Sequence, residues 1–306
     1  MVVQKFSNII ISCDLGSNSF RVLIYNFDKD EAIGDFEITV GTADGLKQTE
    51  NISVEALNRI VNAIKNSIKK LNYNPKDAIA VTTSAMRQAK NSSYIIEEIK
   101  KQTNVSFKII SGDEEARLTL LGLQYSLKKQ NINSENIILV DIGGGSTEII
   151  FVKENNPIFK SFEVGIVTLT QSSNKNIVLE EFKENIKQYI QSLPFDVSEL
   201  QLVATAGTPT TIAALKHNLN YKTYDKKIIN GTKVFLEDLD YYKNYLQSIP
   251  LNEAETLTGT NRIQYIGSGI DIFKLIFTVL KKEFSVVFDE GLREGVVVDK
   301  FLKSKS

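Results

Sequence analysis

The chain has 306 residues, a single cysteine, a single histidine and a formal net charge of −1. That length suits two domains, and the balanced charge excludes a general electrostatic pull toward nucleic acid or an anionic membrane. Cys13 alone excludes a disulfide framework or a CxxC zinc site, and His217 alone excludes a metal centre built from several histidines.

The N-terminal MVVQKFSNIII lacks the layout of a cleavable leader, and no apolar run reads as long enough to cross a bilayer, so a cytoplasmic location is predicted. Residues 9–27, IIISCDLGSNSFRVLIYNF, read as a strand, a tight turn and a returning strand. The residues after the turn are β-branched and aromatic, where a phosphate loop would continue into a helix. Small residues at Gly16, Ser17, Asn18 and Ser19 leave peptide N–H groups and hydroxyls open to an anion, and Asp14 closes the first strand within reach of a metal or water.

A further strand (EAIGDFEITV), a helix (SVEALNRIVNAIKNSIKKL) and a strand (AIAVTTSA) follow. Arg87 comes next in a predicted loop, where its guanidinium suits phosphate oxygens. A helix (SSYIIEEIKKQ) and a short strand (FKIIS) lead to the helix EEARLTLLGLQYSLKKQ. Ser111 stands three residues before Glu114, a capping-box spacing that leaves Glu115 as a carboxylate able to deprotonate a water.

Residues 136–153, NIILVDIGGGSTEIIFVK, repeat the opening pattern. Aligning Asp14 with Asp141 matches Gly16 with Gly143 and Ser19 with Ser146, and a repeat at so long an offset implies a duplicated domain. Gly143, Gly144, Gly145 and Ser146 form the second turn; Glu148, beside Asp141, makes a carboxylate pair suited to Mg²⁺. SFEVGIVTL reads as extended, LEEFKENIKQYIQSL as a helix, and LQLVATA as a strand that runs through Gly207 and Thr208 into the helix PTTIAALKHNL, a small-residue turn suited to an anion. Helices at about 237–247 and 267–282, a strand (VVFD) and a helix (GLREGVVVDKFLK) close the chain, with a frayed tail predicted at 303–306. The alternation defines an α/β fold. The predicted division is an N-terminal domain of residues 1–123, joined by the C-terminal helix at about 292–306, and a C-terminal domain of residues 124–291, with their turns facing each other across a cleft.

Six blocks, DLGSNSFR, TTSAMRQA, SGDEEARL, VDIGGGSTEI, ATAGT and GLREGVVVD, together resemble the exopolyphosphatase and guanosine pentaphosphate phosphatase family, within the superfamily of actin, sugar kinases and heat-shock ATPases. The resemblance implies two ribonuclease H-like (actin-like) domains in the short form, with no additional helical metal-phosphohydrolase domain. It implies hydrolysis of the terminal phosphate of inorganic polyphosphate, or of the 5′ γ-phosphate of guanosine pentaphosphate, with Mg²⁺ or another divalent cation. By the family's pattern Glu115 would be the base and Arg87 a phosphate ligand. Asp14, Asp141 and Glu148 would serve the metal, and the turns at 16–19, 143–146 and 207–208 would cradle phosphates. The expected partners are these polyanions, with no nucleic acid or membrane, and a homodimer is left open. Arg21, Pro209 and Gln264 depart from the family's pattern. The turns alone equally permit an ATP-dependent kinase of the superfamily, and a non-catalytic alarmone sensor would use the same turns.

Overall fold

The computed structural model describes residues 8–260 and 262–305. The N-terminal residues 1–7, read above for a leader, and Ser306 of the tail lie outside the described residues. The chain divides into two compact units, Met1–Tyr125 with Leu292–Ser306, and Ser126–Gly291.

The first unit opens with β1 (Ile9–Leu15), β2 (Ser19–Asn26) and β3 (Glu31–Thr39). Helices α1 (Leu46–Thr49) and α2 (Val54–Leu71), strand β4 (Ala78–Thr82), helices α3 (Ser84–Gln88) and α4 (Ser92–Thr103), and strand β5 (Phe107–Ile109) follow. Helix α5 (Gly112–Lys129) carries the chain into the second unit. The sheet order is β3-β2-β1-β4-β5, antiparallel through the hairpins and parallel from β1 to β5. Helix α2 forms because Ser53 accepts a hydrogen bond from the N–H of Ala56 at its start and Asn72 takes the left-handed conformation at its end. Its buried stripe of Leu57, Ile60, Val61 and Ile64 recurs at helical spacing. Cys13 is buried on β1 beside Tyr73, and burial pushes its thiol up to about 12, which leaves it inert at neutral pH.

The second unit holds β6 (Ile137–Ile142), β7 (Thr147–Lys153), β8 (Asn156–Phe162), α6 (Ile166–Thr170), α7 (Lys175–Gln191), β9 (Gln201–Thr205) and α8 (Gly207–Lys216). It continues through α9 (Lys226–Ile229), β10 (Thr232–Phe235), α10 (Leu236–Ser248), α11 (Leu251–Thr258), α12 (Ile263–Leu280) and β11 (Phe284–Val287). Its order, β10-β11-β9-β6-β7-β8, reproduces that of the first unit, with β8, β7, β6, β9 and β11 in the places of β3, β2, β1, β4 and β5, plus one antiparallel edge strand. The duplication read from two turns therefore extends to whole sheets, and the α/β expectation holds. Helix α12 corrects the membrane reading, since it is long and apolar enough to qualify by length and composition. It is a core helix: Ile270, Phe273, Ile276 and Phe277 are buried among the residues of β6 and β9.

Helix α13 (Leu292–Lys305) returns to the first unit, and it remains helical through residues 303–305, in place of the expected frayed tail. Val297 and Val298 pack on Leu23 of β2, Leu292 and Val296 pack on Val81 and Leu118, and the Ser12 hydroxyl donates to the Arg293 carbonyl at 2.9 Å. Gly295 touches the α5 backbone so closely that a Cβ there would lie 1.8 Å from the Leu118 carbonyl oxygen.

Candidate functional site

The two hairpin turns are closed by the same bond. Gly16 N–H donates to the Ser19 carbonyl and Gly143 N–H to the Ser146 carbonyl, each at 2.9 Å. In the second turn, Ile166 N–H donates to the Gly143 carbonyl at 3.0 Å and Val167 N–H to the Gly144 carbonyl at 2.8 Å. The described peptides are all trans, so with those carbonyls turned toward α6 the N–H groups of Gly144 and Gly145 point the other way. This makes a two-amide anion cradle. Residues 166–169 depart from the extended conformation expected of them, which their β-branched composition favours, and with Thr170 they make up α6. They form a helix because its unsatisfied first N–H groups are taken up by the turn's carbonyls. Gly165 permits the approach, since a Cβ there would lie 2.5 Å from Gly144.

The first turn is built by the same device from a different segment. Val40 and Gly41 N–H donate to the Asn18 carbonyl, and Ala43 N–H donates to the Ser17 carbonyl, at 2.8 to 2.9 Å. The N–H groups of Asn18 and Ser19 therefore face away from residues 40–43. Arg59 clamps that segment through the carbonyls of Val40 and Gly41 and the Asp44 carboxylate. Gly41 sits at φ +59, where a side chain would be strained and would meet Asp44. Neither Arg59 nor Thr42 stands out in the sequence, and the only signal is the run VGTADG. Ser17 Oγ, Thr42 Oγ1 and Thr208 Oγ1 are buried hydroxyl oxygens with no hydrogen-bond partner among the described residues. Such groups call for a partner such as water or ligand.

Arg87 and Glu115 meet in the first unit. The arginine lies in α3, not in the predicted loop, and its Nη1 donates to Glu115 Oε2 at 2.9 Å and to the Ile110 carbonyl at 3.0 Å. Its Nε and Nη2 donate to no described residue, so the side chain orients the carboxylate with one nitrogen and keeps two donors for an oxyanion. Glu115 is buried, at 9% exposure, in the first turn of α5.

Glu114 departs from the capping-box expectation. Its N–H donates to the Ser111 hydroxyl at 3.2 Å, but its carboxylate turns to Arg117, which bridges to Asp299 of α13 at 2.9 Å. The Arg117 hydrogen bonds hold the Glu114 carboxyl below its ordinary range. At Asp299 burial pushes upward, but bonds from Lys303 and Arg117 outweigh it and the net direction is down. Carboxyls lowered in the folded state contribute stability that is present above their unfolded values near pH 4 and lost as pH falls through the folded ones. Arg117→Met is therefore expected to lower the urea midpoint at pH 7 and to match the wild type at pH 2. An equal loss at both pH values would assign the bridge no electrostatic share.

The predicted carboxylates are divided between units, with Asp14 in the first and Asp141 and Glu148 in the second. Asp14 stands opposite Arg21 in the β1–β2 register, and Arg21 approaches Glu37 at 3.6 Å. Asp141 stands opposite Glu148 in the β6–β7 register, which puts both carboxylates on one face of the sheet. Ser161, opposite Glu148 on β8, donates to its Oε1 at 2.7 Å. Among the described residues no three His, Cys, Asp or Glu side chains form a metal cage. Magnesium needs none, because one or two carboxylates with waters and substrate oxygens suffice. The cross-strand pair has that donor chemistry.

Gly207 and Thr208 open α8, and the preceding Ala206 sits at φ 72, ψ −177, a region that belongs to glycine. Pro209 occupies the first turn of α8, where no N–H is required. The guanidinium of Arg262 lies against Gly207, 2.6 Å from where a Cβ would be, a neighbour that sequence reasoning missed. Ala206→Gly is expected to stabilise the protein by about 1 kcal/mol, the strain released less the entropy glycine adds to the unfolded chain. An unchanged or lower urea midpoint would remove the strain argument. His217 only caps the far end of α8 and contacts Thr232.

Two α/β units of matching sheet order, each opening on an Asp-bearing hairpin with a Gly/Ser turn, define an actin-like fold. Residues 33–304 match the Ppx/GppA phosphatase family, and the chain belongs to that family. A solved Ppx/GppA structure from Aquifex aeolicus has 27% identity, a TM-score of 0.73, and coverage of 97% of this chain and 99% of that one. The chain is 26% identical to the bifunctional 3-dehydroquinate synthase/phosphatase of Fusobacterium nucleatum, over 97% of its own length and 48% of the relative's. It is 31% identical to the guanosine-5′-triphosphate,3′-diphosphate pyrophosphatase of Pseudoalteromonas atlantica, over 66% of its own length and 42% of the relative's. The chain spans about half the length of the curated relatives it matches.

Proposed function

We propose that this protein is a cytoplasmic phosphohydrolase that releases the terminal phosphate of inorganic polyphosphate or the 5′ γ-phosphate of guanosine pentaphosphate, with attack by water. The observation that carries this reading is the Arg87–Glu115 pair, a buried carboxylate held in one orientation beside two guanidinium donors with no other task. Glu115 takes the proton of the attacking water, and Arg87 Nε and Nη2 bind a phosphate oxygen as charge develops on it. The amides of Asn18 and Ser19, and those of Gly144 and Gly145, are phosphate donors, joined by Thr208 and the start of α8. Asp141 and Glu148 of the second unit would hold Mg²⁺ or another divalent cation, and Asp14 is the corresponding carboxylate proposed in the first unit. When bound, that ion neutralises charge on the phosphate oxygens.

Phosphoryl transfer asks for positioning and charge neutralisation more than covalent catalysis, which suits a site without histidine. The proposed domain division follows the two units, and the proposed partners are polyanions rather than nucleic acid or membrane. The test is phosphate release from long-chain polyphosphate and from guanosine pentaphosphate, each with Mg²⁺, beside ATP with a sugar acceptor. Release from either of the first two supports the proposal, and the ratio names the substrate. Acceptor-dependent ATP consumption, or tight alarmone binding with no release, would replace it with a kinase or a sensor.

A further inference from the structure

A cleft of about 440 Å³ opens in the second unit between α10, α11 and α12, within the size range of small-ligand sites. Ile249, Leu251 and Ile263 present its apolar wall, backed by the buried side chains of Leu246, Ile266 and Ile270. Its polar side carries Lys175, Ser268, and the ion pair of Lys243 with Asp271. That pair cancels, so Lys175 sets the sign. It is exposed, reaches the Ser268 hydroxyl at 3.4 Å, and is in no ion pair among the described residues. Gln264, one of the departures from the family's pattern, is on the same wall.

The opposite face of α12 touches the phosphate turns of this unit. Gly269 lies against Thr208, whose Oγ1 would be 2.0 Å from a Cβ there, and Arg262, seven residues earlier, lies against Gly207. Residues seven apart share a helix face, and Gly267, on the cleft, is on the reverse. A second link runs from Ser268 to Thr170 at 2.7 Å, at the end of the helix whose start holds the Gly143 and Gly144 carbonyls.

We propose that this cleft is an effector site for a small aromatic carboxylate, its ring on the apolar wall and its carboxylate on Lys175, and that occupancy is felt through α12 at Gly207 and Thr208. The effector role rests on the phosphate-handling role of those residues. The binding site does not.

The test uses 2-naphthoate and the neutral 2-naphthamide in calorimetric titrations of the full chain. Nothing lies within 4 Å of a Cβ at Gly267, so Gly267→Phe fills the cleft without a backbone clash, and Lys175→Glu reverses the charge at an exposed position. The expected result is naphthoate binding at least tenfold tighter than naphthamide, lost in Gly267→Phe and weakened at least tenfold in Lys175→Glu. Bound naphthoate should also slow amide exchange at 205–211 in the wild type and leave Gly267→Phe unaltered. No binding, equal affinity for the two probes, or binding indifferent to Lys175→Glu overturns the site. Binding without the exchange change overturns the effector role. None of these measurements uses phosphate release, so a failure of the hydrolase reading would be seen separately.

Discussion

Glu115→Gln is expected to slow phosphate release by between about a hundredfold and ten-thousandfold, the usual contribution of a positioned general base, while substrate binding persists. The amide keeps the length and shape of the side chain, and its oxygen still accepts from Arg87 Nη1, so the first turn of α5 and the bond seen at 2.9 Å survive. Only the capacity to take a proton is lost. Arg87→Ala is the informative companion. It removes the orienting bond together with the two proposed phosphate donors, so KM should rise as kcat falls, whereas Glu115→Gln should lower kcat alone. A Gln variant that turns over at the wild-type rate would remove Glu115 as the base.

The second large effect is expected at Gly295→Ala, far from either Gly/Ser turn in sequence. The added methyl would lie 1.8 Å from the Leu118 carbonyl oxygen and 2.4 Å from its carbon. The clash is with main chain, which no rotamer change relieves. Helix α13 must withdraw from α5, at a cost of about 1 to 3 kcal/mol for an overpacked contact. Leu118 is three residues from Glu115, on the same side of α5, so the displacement reaches the carboxylate. The expected result is a Tm lowered by several degrees together with a kcat loss that persists well below the new Tm. Gly295→Ala with wild-type melting and turnover would show that the two helices can part without consequence. A stability loss with kcat intact would leave Gly295 a packing residue only.

Much of the local architecture was legible because it is local. A strand, an acidic residue, a Gly/Ser turn and a returning strand are written within about 19 consecutive residues, and the turn-closing bonds at Gly16 and Gly143 span three. The helices with regular apolar stripes, such as α2, were equally plain. What escaped was whatever depends on a distant segment. Residues 166–170 have strand-like composition, yet they are helical because of carbonyls more than twenty residues earlier. Arg59 reads as an ordinary polar position on a helix, and only the fold brings the carbonyls of Val40 and Gly41 to its guanidinium. Arg262 gives no sign in its neighbours that Gly207 lies beside it. Glu114 followed the capping rule at its amide and broke it at its carboxylate, because Arg117 offered a charged partner.

The return of α13 to the first unit gives the chain an unusual timetable. Residues 126–291 are contiguous, and all the strands of their sheet have been made before α13 is begun. The first unit starts earlier but finishes last: Leu23 on β2 and Leu118 on α5 wait for Val296, Val297 and Val298, some 170 residues or more downstream. Domains emerging from a ribosome ordinarily fold in N-terminal order. Here the later-born unit can be complete while the earlier one still shows an uncovered apolar face, and the last fourteen described residues become the step that seals it.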